Sequence, residues 1–559
     1  VSAGLDAVNA DLTIIPLTDA EVVGQATISP DGKYFVYTEY DTASSRMWLQ
    51  TVGETSRVEV VGPQSDQILN LSFTPDSTVI YFTGWHADSG VYSLYRVDAL
   101  GGVPAKIVTD LSGPVSFSPN GDQIVFVRED LKSHQTHIIA AASDGTQQRV
   151  IFTRTGSDII RPNVSWSPDG KRVAFGLQSP EKTVTSCSIV AMDLATGAVH
   201  PLSNEKWDSC NRTVWTPDGS GIVFIGTRYG ESLTNRRDQV YRLDIASGDA
   251  RRLTSAGGLH EPMSLGITSA NQILAIPYQR VSQIWSLDVG GNVQTAHQIT
   301  SGQTDGMGGI EALPGGKIAF LSRAGDGFGI SVSNADGPEE RRQIVSDATM
   351  EEMRAARDGT FLIFAAKIGG YDHIFRANTD GSERRQITFG ESVEIDSDVS
   401  PDGKSIVYAS SKADGGDYRY SLEKISSDGG TPITLLSEAC ITPRFSHDGK
   451  TISCILGNTI RLISAENGAT LKVLKTVEMA VLNTGALFAP DDKSLVYRVL
   501  QKNGCNLWQQ RIAGGELRQL TDFSGVEIYN FAFARDGSCI YMARGNLIRN
   551  AILIKNVNH

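Results

Sequence analysis

The sequence predicts an all-β fold, a tandem of β-propellers with twelve four-stranded blades. Three observations predict it. A hairpin cassette recurs twelve times along the chain, a Gly-rich turn and a further strand follow the copies, and long amphipathic helices are missing. Period-two apolar alternation marks half-buried strands. A repeat of roughly 43 to 52 residues carrying four strands fits one propeller blade.

The cassette is a strand, a Ser/Thr-Pro-Asp-Gly turn and a second strand. It reads ATISPDGKYFVYT from Ala26, LSFTPDSTVIYFT from Leu71, VSFSPNGDQIVFV from Val115, VSWSPDGKRVAF from Val164 and VWTPDGSGIVF from Val214. Later copies start at Met353, Asp398, Arg444, Leu487 and Phe531, and two eroded ones at Ser264 and Ile310. Pro pre-sets the φ of the second turn position, Asp bonds its own backbone, and Gly takes the position that needs φ > 0. The third strand ends in turns such as VDALGG at Val97, MDLATG at Met192 and LDIASG at Leu243. The fourth closes near Thr, as in RRLT at Arg251 and RQLT at Arg518.

Twelve blades exceed the usual single ring of about 4 to 8. The expected division is six plus six, with seven plus five as the alternative. Residues 1–10 are read as an N-terminal extension, 11–298 as the first propeller and 299–559 as the second. The strand at Asp11 to Thr18 is an orphan fourth strand that closes blade six, and the strand ending at Thr300 closes blade twelve. Each ring is then sealed without an exposed edge. The opening residue is Val rather than Met, which reads as a mature or excised polypeptide.

The net charge of -13 argues against nucleic acid as a partner, because phosphate binding needs a basic face. No apolar run is long enough for a membrane span. No G-x-S-x-G elbow or H-E-x-x-H pair is present, and the glycines at 302, 306, 308 and 309 precede a strand rather than a helix. The expectation is therefore no enzyme, no catalytic residue and no cofactor.

The acidic excess gathers in the connections from each fourth strand to the next first strand. It is densest at Asp347, Glu351 and Glu352, then at Glu391, Glu394, Asp396 and Asp398. Two readings stand side by side. In one this face concentrates negative potential and takes a basic protein or peptide partner, or a divalent cation. In the other the carboxylates stabilise turns and keep the rim solvated. Among the six cysteines, Cys440 and Cys454 flank one hairpin at nearly equal distances, within reach of a disulfide. Cys187 and Cys210 border the junction of blades four and five as a second candidate pair. The alternative for all six is that of small buried hydrophobes.

The S-P-D-G-K hairpin with its D-G-G turn and closing Q-L-T resembles the TolB-type propeller repeat across nearly the whole chain. The blade order, carried by ISPDGKYFVYTEY at Ile28, SLYRVDALGG at Ser93 and FAFARDG at Phe531, is also similar to the extracytoplasmic C-terminal region of some bacterial serine/threonine kinases. No kinase motif lies in the chain itself. The resemblance implies a periplasmic or extracellular sensing, scaffolding or protein-interaction module. A structural subunit of a homo-oligomer or filament, and a propeller-borne hydrolase or lyase, are the alternative readings.

Overall fold

The computed structural model describes residues 12–18, 23–40, 44–86, 91–130, 133, 135–156, 158–180, 185–228, 238–254, 264–324, 327–337, 341–347, 349–414, 417–477, 480–481, 484–501 and 504–556. The proposed extension at 1–10 lies outside them. Among the described residues the elements are β-strands and one 3-10 turn, Val293–Thr295, and no helix is long and apolar enough to cross a membrane.

The chain divides into two compact units, Val1–Gln279 with Ile548–His559, and Arg280–Leu547. In the first unit, blades one to five cover 23–64, 67–109, 112–155, 159–201 and 207–252, each with strands in sequence order from inner to outer. Blades four and five join into one eight-stranded sheet through a single pairing of Cys187 with Trp207. In the second unit, blades seven to eleven cover 310–347, 353–386, 393–436, 441–475 and 480–519. Inner strands touch their neighbours in cyclic order in the first unit, and a bond from the Ala26 N–H to Ser264 Oγ (3.1 Å) joins blade one to blade six. Packing between blades is apolar. Val36, Met47 and Leu49 of blade one bury against Ile68, Phe73, Ile80 and Phe82 of blade two. Full burial of each such side chain is worth about 1.5–3 kcal/mol.

Ring closure differs from the sequence expectation in one respect. Blade six has the order Leu265–Ile267, Ile273–Ala275, Ile552–Lys555, Thr13–Pro16, so the last strand of the chain is its third strand. Blade twelve has the order Glu527–Phe533, Cys539–Arg549, Tyr278–Asp288, His297–Gln298. Thr13–Pro16 and His297–Gln298 occupy the outer positions anticipated for them, but the two third strands are exchanged. The second unit is thus inserted between the second and third strands of blade six. The boundary falls at 279/280 instead of 298/299, and the tail returns to the first unit. The local chemistry explains it: only Ile276 and Pro277 separate Ala275 from Tyr278. That link has no Gly, Asn or Asp to reverse the chain, and the proline favours continued extension.

The hairpin turn works as its composition implies. In blade one, Ser29 Oγ donates to Asp31 Oδ1 (2.6 Å) and accepts from the Tyr34 N–H (3.0 Å), while the Lys33 N–H donates to Asp31 (3.1 Å). Gly32 sits at φ 73°. The glycine and proline also have a role between blades. A Cβ at Gly121 would contact Pro75, one at Gly170 would contact Pro119, and one at Gly449 would contact Pro401, each time the proline of the preceding blade.

Candidate functional site: the two ring channels

Two positions of the repeat line each channel: five and three residues before the hairpin proline or its replacement. The inner strands carry a bulge there, and the fifth position is left-handed at Asn70, Arg212, Asp396 and Thr442 (φ 50° to 56°).

In the first unit the fifth positions include Gln25, Asn70, Asn163, Arg212 and Ser264, a belt of neutral polar groups around one cation. Arg212 Nη2 donates to Gln25 Oε1 (2.9 Å) and Asn70 Oδ1 (2.8 Å), and Ser264 Oγ donates to Gln25 Oε1 (3.0 Å). The third positions are small or neutral: Thr27, Ser72, Ser116, Ser165, Val214 and Gly266. Here Ser116 and Ser165 accept from the Trp166 and Trp215 N–H groups of the following blades (2.9 and 3.1 Å). A cavity of about 340 Å³ lies in this channel.

In the second unit the same third positions alternate in charge: Glu311, Arg354, Asp398 and Arg444 on successive blades. Glu311 Oε1 and Arg354 Nη1 lie 3.6 Å apart. Asp398 Oδ2 accepts from the Phe445 N–H (2.7 Å), the interblade bond that serine makes in the first unit. Arg444 donates to the carbonyls of Pro443 (2.6 Å) and Thr484 (3.1 Å). The Nε donors of Arg354 and Arg444 are buried without a hydrogen-bond acceptor among the described residues. Desolvation pushes the Glu311 carboxyl up to about 7, against the pull of Arg354, and raises Asp398. Glu311 keeps 25 % of its side chain accessible and lines the cavity of this channel. Desolvation likewise lowers Arg444 to about 10. The channel holds a cavity of about 310 Å³, with Arg357, His447, Arg535 and Asp536 among its lining residues. Arg357 Nη1 donates to the His447 carbonyl (3.2 Å), and Arg535 Nη1 to the Arg357 carbonyl.

The seven acidic residues singled out in the sequence do not form one free negative face. Glu391 is exposed and has no partner among the described residues. Asp347 is paired with Arg384 and accepts from the Thr349 N–H (2.9 Å). Glu394 is 3 % exposed, 2.6 Å from His373 Nδ1, and accepts from Thr388 and Ser392. Glu352 accepts from the Ser397 N–H (2.7 Å) and Asp396 from the Thr442 N–H (3.3 Å). Desolvation and the nearby Glu352 push Asp396 up to about 7. Glu351 has one carboxylate oxygen fully buried. Most of these carboxylates therefore serve contacts within the ring. Among the described residues no group of three or more acidic, His or Cys side chains is arranged to hold a metal ion. Cys187 is placed in a disulfide with Cys210 (Cα–Cα 5.8 Å), and Cys440 with Cys454 (Cα–Cα 5.4 Å). The first links the third strand of blade four to the inner strand of blade five. Cys505 and Cys539 are unpaired.

Sequence reading missed the channel arginines Arg212, Arg357 and Arg535, and also Glu311, Arg354 and Arg444. For Glu311, Arg354 and Arg444 the signal was available: aligned on the hairpin proline or its replacement, they fall in one column with Asp398.

Residues 13–212 match the family model described as PD40, TolB beta propeller domain. Among solved structures, the chain is similar to the tricorn protease at 13% identity and TM-score 0.34, covering 94% of this chain and 60% of that one. It therefore spans less than two thirds of that protein. It is similar to TolB from Acinetobacter baumannii at 17% identity and TM-score 0.27, covering 63% of this chain and 79% of that one. A GH74 enzyme from Niastella koreensis aligns at 11% identity and TM-score 0.37, over 96% of this chain and 91% of that one. Residues 13–212 thus carry the TolB-type β-propeller repeat, and the same turn and strand order recur in the blades that follow.

Proposed function

We propose that this protein is a non-catalytic recognition module working outside the cytoplasm, and that the second ring receives an acidic segment of a protein partner at its channel. The carrying observation is the charge of that cavity. Four arginines line it against three carboxylates, and burial pushes two of the three, Glu311 and Asp398, toward the neutral form. Arg357 and Arg535 donate to backbone carbonyls rather than to carboxylates, although the Arg535 charge also acts on Asp358. Such a mouth attracts anionic side chains and repels cationic ones. The basic partner expected from the acidic loops has less support, because those carboxylates are largely engaged internally. The two disulfide placements support an oxidising compartment.

The test is fluorescence anisotropy with labelled twelve-residue peptides, one Glu-rich, one Lys-rich and one Gly/Ser. The Glu-rich peptide should bind in low salt, weaken steeply as salt rises, and lose at least tenfold in affinity with the Arg357→Ala/Arg535→Ala double variant. Equal binding of the Lys-rich peptide, or an unaffected double variant, contradicts the reading.

A further inference from the structure

The first ring's channel carries a single cation. Its cavity of about 340 Å³ is walled by residues from all six blades, with apolar side chains beside the small polar residues Thr27, Ser72, Ser116 and Ser165. One ionised group lines it, Arg212. Its guanidinium is held by two neutral amide oxygens, and no carboxylate lies within ion-pair distance among the described residues. Desolvation lowers the guanidinium to about 10, still charged at neutral pH. A cation held away from water with only neutral partners retains most of its capacity for an anion.

One further polar group in the same wall lacks a partner: Asn163, 9 % exposed, has its Oδ1 buried without a hydrogen bond, and the amide offers a donor if its two ends are exchanged. A cavity of this size, with mixed apolar and polar walls around one cation, is large enough for a small organic molecule.

We infer that the first ring's channel binds a small organic carboxylate, with an apolar body among the channel side chains and its carboxylate on Arg212. The site is separate from the second ring's mouth, so it stands or falls independently of the peptide reading.

Isothermal titration of the full chain with 3-phenylpropionate and with the neutral isostere 3-phenylpropanamide tests this. The acid should bind at least tenfold more tightly than the amide, a comparison within the unaltered protein that needs no variant. Arg212→Gln should remove that preference and weaken the acid at least tenfold, while Arg212→Lys retains part of it. Circular dichroism of each variant checks the fold. Equal affinity for acid and amide, failure of both to bind, or a well-folded Arg212→Gln with undiminished affinity would each overturn the inference.

Discussion

At the residue scale, the channel of the second ring keeps carboxylates where water is scarce, and this sets a pH dependence. The Glu311 carboxyl titrates near about 7 in the folded chain, above its ordinary value of 4.5. Between those values the folded state binds more protons than the unfolded one, so stability falls as pH rises. The Glu311 contribution is therefore most favourable below about pH 4.5 and is lost as pH climbs to about 7. Glu311→Gln should flatten that slope, gaining relative to the parent at pH 8 and little at pH 4.5. Urea melts at the two pH values check it, and a steeper slope in the variant contradicts it. Loop carboxylates were visible in the sequence, but their engagement was not. Asp398 and Glu394 read as exposed because composition places acids on surfaces, whereas the partners here, Phe445 N–H and His373, lie on other strands.

The element that organises the chain is the hairpin turn, and it was fully legible. Its side-chain bonds are local, such as Thr216 Oγ1 to Asp218 Oδ1 (2.6 Å), which with its neighbours holds the Asp218 carboxyl down at about 2. Less legible was the seam between turns, because Pro-Gly adjacency spans about one whole repeat. Departures from the motif show it best. Blade ten has His447 where proline is usual and blade eleven has Asp492 (φ 54°) where glycine is usual, and the two side chains meet at 2.7 Å. The seam also separates two glycines of nearly identical backbone. Gly219 (φ 70°) has open space where a Cβ would go, whereas a Cβ at Gly359 (φ 74°) would overlap the Pro314 ring. Gly219→Ala should cost about 1–2 kcal/mol for the left-handed backbone alone. Gly359→Ala should cost about 1–3 kcal/mol more from overpacking. Equal losses in chemical denaturation would remove the seam from the account.

At the scale of the whole molecule, the repeat count and the outer closing strands could be read from the chain, but the exchange of third strands could not be read from repeat order alone. Neither Tyr278–Asp288, a strand of mixed polar and apolar residues, nor the apolar Ile552–Lys555 has its partner defined in sequence. The deciding feature was the missing turn at Ile276-Pro277, a local signal with a long-range consequence. Blade six is consequently assembled from three distant pieces: Thr13–Pro16, the pair around 265–275, and Ile552–Lys555. Ile552 and Ile554 complete an apolar cluster with Val223, Ile225 and Ile273, so the returning strand supplies core as well as backbone bonds.

Hydrogen exchange on the chain ended after Arg549, compared with the full chain, tests this closure most directly. Without Ile552–Lys555, the amides of Ile273–Ala275 and Thr13–Ile15 should lose protection, while Glu527–Phe533 and Cys539–Arg549 in blade twelve keep theirs. Unchanged protection at Ile273–Ala275, or loss confined to blade twelve, would mean that the tail closes the second ring instead.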